Sequence, residues 1–176
     1  QDVIHQVNAL TRLLDNLLLV GEEDETDIVF QPETIKLADV CEDMVRQMRL
    51  GAQEGHGLKI EFSGNCKTAF MDEGIIRRIL SNLLSNAIKF SRRGETVTVT
   101  VRPLARRYRI SVTDCGEGIS EVFRARIFQK FAQADASDSR QKGGTGLGLS
   151  IVKEIVTRLG GSISFDTVEG RGTVFH

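Results

Sequence analysis

No stretch of this 176-residue chain is apolar for long enough to cross a membrane. The longest run, Leu17 to Val20, ends after one helical turn, and neither a basic flank nor a secretory cleavage pattern opens the sequence. The chain therefore reads as soluble and cytoplasmic, with no membrane contact of its own. One-sided charge is missing too: 23 basic residues stand against 24 acidic ones, for a net charge of -1. That balance excludes bulk attraction to nucleic acid or to an anionic membrane and leaves any phosphate recognition to a local site. Only three cysteines occur, Cys41, Cys66 and Cys115, odd in number and widely separated. They offer no disulfide framework and no zinc-ligand spacing, and they fit a reducing compartment. Internal repeats and low-complexity segments are likewise absent. What is present is a 40% hydrophobic composition, enough for one domain with a core and a short appendage but not for a second full domain.

The appendage comes first. Val3, Val7, Leu10, Leu14 and Leu17 alternate steps of four and three, the seam of a coiled coil or helical bundle, so this helix wants a partner. The acidic, turn-like Glu22 to Asp27 and the punctuation Gln31-Pro32-Glu33 bracket a boundary, with residues 1–25 on one side and 28–176 on the other. Beyond it, strands and helices alternate. Ile28 to Phe30 and Thr34 to Leu37 look extended, and Ala38 to Glu54 has helical spacing through Val40, Met44, Val45 and Met48. Short strands are expected at Leu58 to Phe62 and Thr68 to Met71, then a helix capped by Asp72 and running to about Phe90. Thr96 to Val101 and Arg109 to Thr113 alternate as an antiparallel pair joined by a link at 103–107. A helix from Leu147 to Leu159 ends at Gly160-Gly161, and Ser162 to Phe165 and Thr173 to Phe175 close the chain as strands. The expected fold class is α/β, a two-layer sandwich with a mixed sheet packed against helices, preceded by the bundle-type helix.

Three segments carry chemistry. In Asn82-Leu-Leu-Ser-Asn86-Ala-Ile-Lys89-Phe90, helical spacing puts two carboxamides and an ammonium on one face, opposite the apolar stripe Ile76, Leu80, Leu83 and Ala87. A carboxamide oxygen suits Mg²⁺ that already carries triphosphate oxygens, and a lysine balances phosphate charge. A merely solvated polar face has the same spacing. The second segment, Asp114-Cys115-Gly116-Glu117-Gly118-Ile119, follows a strand. There a carboxylate can accept from an exocyclic amine such as that of adenine while the glycines let backbone approach a flat base, although an ordinary glycine-rich turn reads alike. In the third, Gly143-Gly144-Thr145-Gly146-Leu147-Gly148-Leu149-Ser150-Ile151 runs straight into a helix. Converging amides and the helix dipole attract phosphate, and the competing account is a flexible hinge. Neither a dinucleotide fingerprint nor a Walker loop is matched.

Together and in this order, the segments resemble the N, G1 and G2 boxes of the sensor histidine kinase catalytic domain, and Phe128-Gln-Lys-Phe131 resembles its F box. The resemblance spans about residues 28–176 and implies the Bergerat ATP-binding fold with ATP and Mg²⁺ as cofactors. It implies that Asn86 ligates the metal, that Asn82 and Lys89 support the phosphates, and that Asp114 reads adenine. By the same resemblance Gly116, Gly118, Ile119 and Phe131 shape the base pocket, Gly144, Thr145, Gly146, Leu147, Gly148 and Leu149 form the phosphate loop, and residues 132–142 form a lid. The lid sequence looks like that of hybrid kinases, whose chain continues into a receiver domain.

The same fold serves hydrolytic ATPases, in which a glutamate four residues before the metal-binding asparagine activates water; here that place is Asn82, which cannot act as a base. Phosphoryl transfer to a protein histidine is the expected chemistry, with a response regulator or fused receiver domain as the onward partner. No acceptor motif is matched. His5 is followed by Gln-Val-Asn, residues 1–25 resemble the second helix of the dimerisation and phosphoacceptor domain, and His56 and His176 read as bystanders. The chain thus looks like part of a longer kinase that binds ATP but does not autophosphorylate alone, with a homodimer through its first helix as an option. Cys115 departs from the family's usual asparagine or threonine, either as a small-residue substitution or as an oxidation-sensing thiol. The competing function is a non-catalytic nucleotide-binding or scaffold module of the same fold.

Overall fold

The computed structural model describes residues 30–51, 56–133 and 145–176. Among them are β1 (Glu33–Ile35), α1 (Leu37–Gly51), β2 (Gly57–Phe62), β3 (Ala69–Met71), α2 (Glu73–Phe90), β4 (Thr96–Leu104) and β5 (Arg107–Thr113). They are followed by α3 (Glu121–Arg124), α4 (Gly148–Arg158), β6 (Phe165–Val168) and β7 (Gly172–Phe175). The seam from residue 3 to 17, the expected boundary at 22–27, Gly144 and positions 134–142 of the expected lid lie outside the described residues, as does His5.

Alternation drives the main sheet. In β4 the odd positions Val97, Val99 and Val101 are buried under the helices, while Thr98 and Thr100 face the other way and remain half-exposed. The strand order is β2-β4-β5-β7-β6, with β2 parallel to β4 and every other neighbour antiparallel. β1 and β3 form a separate antiparallel pair. Helix α2 is the centre of the helical layer and touches α1, α4, β4 and β5. Its buried residues Ile75, Ile76, Ile79, Leu80, Leu83, Leu84 and Ala87 make a stripe broad enough to serve several neighbours at once. The expected two-layer α/β sandwich with a mixed sheet is what the chain forms.

Both long helix ends follow from their side chains. Asp72 caps α2: its Oδ1 accepts from the Ile75 N-H at 3.0 Å and its Oδ2 from the Gln31 N-H at 3.0 Å. Those bonds, the one from Gln31 foremost, hold its carboxyl below the ordinary aspartate value. Helix α4 stops as expected at Gly160, whose φ of 68° continues into a paired closure, Gly160 N-H to Thr157 O at 3.0 Å and Gly161 N-H to Val156 O at 2.9 Å.

Two expectations need correction. The link between β4 and β5 is not 103–107: β4 runs through Pro103 and Leu104, which pair with Tyr108 and Arg107, and only Ala105 and Arg106 turn. Proline is tolerated there because Val101 O already accepts from Ser63 N, so position 103 points toward the side where β2 has ended at Phe62. The strand after α4 is Phe165–Val168 rather than Ser162 to Phe165, although Ser164 and His176 still exchange backbone hydrogen bonds at 3.0 and 2.8 Å. As the edge of the sheet, β6 accommodates the exposed Asp166.

Candidate functional site

The two glycine-bearing segments meet around the C-terminal half of α2. Gly148 opens α4 against that helix so closely that a Cβ there would stand 2.9 Å from Asn82 Oδ1 and 3.8 Å from Asn86 Nδ2. Asn82 is held in place by its own Nδ2, which donates to Arg78 O at 3.0 Å, leaving Oδ1 turned toward Gly148. Thus the helix N-terminus and both carboxamides share one small volume. Ser91, just past the end of α2, bridges to Gly116, where a Cβ would lie 2.5 Å from Phe90 O. Lys89, on the same turn, places its Nζ 4.7 Å from the centroid of the Phe90 ring.

Asp114 sits at the end of β5 and is 7% exposed. Its Oδ1 accepts from the N-H of Gly116 at 2.9 Å and from that of Thr173 at 3.1 Å, while its own N-H donates to Thr173 O at 2.9 Å. Oδ2 takes part in neither of those bonds. Burial pushes the carboxyl above the ordinary aspartate value, opposed by the Gly116 and Thr173 donors. Beneath it, Thr173 Oγ1 meets Thr167 Oγ1 at 2.9 Å, and Thr167 Oγ1 accepts the Ile119 N-H at 2.9 Å. Gly118, with φ of 73°, runs against Val168 on β6. Ile119 is buried in the core.

The β6–β7 turn closes this side. Gly170 N-H donates to Glu117 O at 2.7 Å, and Arg92 Nη2 donates to Gly170 O at 2.7 Å, tying the segment after α2 to the glycine loop through a contact 78 residues apart.

The two phenylalanines of the F-box-like stretch separate in role. Phe128 packs against Phe165 and Phe175 with ring centroids 5.9 and 6.5 Å away. Phe131 is 59% exposed and adopts φ of 62°, a left-handed backbone that a phenylalanine seldom takes. Its backbone lies against Gly146, where a Cβ would come within 2.7 Å of Phe131 C. Thr145 Oγ1 accepts the Leu147 N-H at 3.2 Å, and Leu147 O accepts from Ser150 Oγ at 2.8 Å. The Leu147 side chain is 1% exposed and spent in the core, so what it can offer a ligand is backbone; Leu149 is half-buried against that core.

Residues 71–176 match the family of histidine kinase-, DNA gyrase B- and HSP90-like ATPases. The chain belongs to this family. Among its relatives is the signal transduction histidine-protein kinase BarA of Escherichia coli strain K12, 32% identical over 177 residues that cover 96% of this chain and 19% of BarA. The sensor histidine kinase WalK of Bacillus subtilis strain 168 is 33% identical over 175 residues, 96% of this chain and 28% of WalK. A crystal structure of full-length ShkA in complex with AMPPNP superposes with a TM-score of 0.84 at 29% identity, covering 97% of this chain and 35% of ShkA. The chain spans about a fifth of the length of BarA. It is a histidine kinase ATP-binding domain in fold and in relatives.

The structure thus gathers Asn82, Asn86, Gly146, Gly148 and Phe131 where α4 meets α2, and sets Asp114, Gly116 and Gly118 in the loop that bridges to Ser91 just past α2. Thr173, Thr167 and Arg92 escaped the sequence reading. Thr173 is a polar residue buried in a strand, a signal that appears only once β7 is set beside β5. All three thiols are free; burial, with the neighbouring Cys66, pushes Cys41 up to about 12. His176 bridges Ser111 and Asp166 at 2.8 and 3.0 Å, and His56 Nδ1 is buried without a partner among the described residues. No described helix is long and apolar enough to cross a membrane.

Proposed function

We propose that residues 28–176 form the catalytic domain of a two-component sensor histidine kinase, transferring the ATP γ-phosphoryl group to a histidine other than the three in this sequence. Residues 1–25 would be the second helix of the dimerisation and phosphoacceptor domain, able to form a homodimer. The single observation that carries the reading is the junction of α2 and α4, where Gly148 lies so close to Asn82 and Asn86 that an added Cβ would crowd the Asn82 oxygen at 2.9 Å.

Asp114 accepts the adenine amine through Oδ2, its Oδ1 being committed to two backbone donors. Gly116, Gly118 and Ile119 wall the base, with Phe131 at the rim. The N-terminus of α4, with Gly144, Thr145, Gly146, Leu147, Gly148 and Leu149, presents amides to the phosphates, and Lys89 adds charge. Asn86 would hold Mg²⁺. Its carboxamide oxygen suits a hard ion that is otherwise coordinated by phosphate and water. The metal, when bound, neutralises charge on the transferring phosphoryl group. Asn82 cannot take a proton from water, so the residues position the nucleotide rather than hydrolyse it. A response-regulator aspartate, separate or in a fused receiver domain, would take the phosphoryl group next. Free thiols and the need for ATP fit a cytoplasmic setting.

The test is to supply a separate dimerisation fragment that carries an acceptor histidine and to follow ATP-dependent labelling. Labelling that disappears with Asn86→Ala is expected. An unlabelled histidine, with nucleotide bound normally, would leave a binding module without transfer.

A further inference from the structure

The β4–β5 hairpin concentrates positive charge that the nucleotide site does not use. Arg102, Arg106, Arg107 and Arg109 fall within eight residues and all are exposed. Register fixes three of them on one face: Arg102 pairs with Arg109, and Leu104 pairs with Arg107. That face is the one turned away from the helices, since Val97, Val99 and Val101 occupy the other.

Two features set this cluster apart from a solvated surface. Directly opposed like charges destabilise a sheet, with Cβ atoms about 5 Å apart, yet Arg102 and Arg109 face each other. In addition, none of the four side chains makes a hydrogen bond or ion pair with any described residue, whereas the acids nearby on this face are engaged: Glu61 by Lys59 at 2.7 Å and Asp166 by His176 at 3.0 Å. Leu104, 41% exposed, lies among the arginines and gives the patch an apolar centre.

We infer that this face is a docking surface for a protein partner rich in carboxylates. Guanidinium groups match carboxylates as planar forks, and arginine is enriched in interface hot spots. A polyanion such as nucleic acid, or an anionic membrane, fits less well: the chain as a whole has net charge -1, so attraction is confined to this patch. Tyr108, the hairpin's one aromatic, has its hydroxyl bonded to Thr68 O and packs toward the core, leaving no ring on this face for base stacking. Arg109 lies five residues before Asp114, about 17 Å along β5, so a docked partner leaves the nucleotide pocket open.

The test uses the whole chain and a fluorescein-labelled octaglutamate peptide, followed by anisotropy at low ionic strength. Saturable binding is expected, at least tenfold weaker in Arg102→Glu/Arg109→Glu and unchanged in Arg158→Glu, with AMPPNP affinity the same in all three. In Arg102→Gln/Arg109→Gln the Tm should stay equal or rise while peptide binding falls, because the repulsion is relieved. Failure of the peptide to saturate, or equal binding by the charge-reversed variant, overturns the proposal. A Tm that falls in the glutamine variant would assign the arginines to the sheet instead. Tighter binding of a single-stranded oligonucleotide or of phosphatidylserine vesicles through the same arginines would overturn the protein assignment.

Discussion

Replacing Gly148 with alanine adds one carbon at the point where α4 meets α2. That carbon would lie 2.9 Å from Asn82 Oδ1, 3.7 Å from its Cγ and 3.8 Å from Asn86 Nδ2, so only the Asn82 oxygen is crowded. It must retreat by about 0.5 Å to reach ordinary contact. Asn82 is not free to swing, because its Nδ2 is bonded to Arg78 O at 3.0 Å. Rotation that relieves the clash costs that bond, about 1 kcal/mol, while alanine in place of glycine in a helix returns about 0.5–1 kcal/mol. Stability should therefore change by less than about 1 kcal/mol, since the two terms nearly cancel. Function should not cancel. With Asn82 displaced and the mouth of the phosphate loop narrowed, nucleotide affinity should fall about tenfold, equivalent to about 1.4 kcal/mol. Gly160→Ala is the contrast: its φ of 68° strains any side chain, but nothing lies within 4 Å of an added Cβ, so it should cost about 1 kcal/mol of stability and leave affinity unchanged. Calorimetric titration of AMPPNP with thermal melts reads both quantities. In an Asn82→Ala background, Gly148→Ala should carry no further stability penalty, because the struck atom is gone. Wild-type affinity in Gly148→Ala would refute the placement of phosphate at this junction.

Asn86→Ala should weaken AMPPNP binding in Mg²⁺ more than in chelator, and titrations under the two conditions would expose an equal loss as evidence against metal ligation. Asp114→Asn keeps an oxygen for the Gly116 and Thr173 donors but presents a neutral amide to adenine, so affinity should drop with the fold intact. Because burial raises the folded carboxyl above its unfolded value, the wild type is favoured at low pH and loses that advantage as pH climbs through the folded pKa. Melts from acid to neutral pH should show the asparagine variant gaining on the wild type across that interval. Arg92→Ala removes the bond to Gly170 O, and about threefold weaker nucleotide binding with faster amide exchange at Gly170 is expected; unchanged exchange would detach Arg92 from the loop.

Helix α2 was legible in full because every signal in it is local. Asp72 caps it, the stripe Ile76, Leu80, Leu83 and Ala87 is buried as its period requires, and Asn82, Asn86 and Lys89 fall on a half-exposed face. Sequence and structure part where a residue's meaning depends on a distant strand. Pro103 reads as a breaker unless one knows that β2 stops at Phe62. The site divides in the same way. Glycine-rich segments announce themselves by composition, but the reason for Gly148 is an oxygen on another helix, and the partner of Asp114 is a threonine 59 residues away, fixed only by the pairing of Thr113 with Val174. Phe131 carries no sequence mark of its φ of 62°, nor of the close approach of its backbone to Gly146. The chemistry-bearing side chains can thus be picked out residue by residue, whereas the contacts that hold them in a common site are long-range and belong to the sheet register and helix packing. A variant that disturbs function without touching a motif should accordingly be sought among Thr173, Thr167 and Arg92, which anchor the site from outside its recognisable segments.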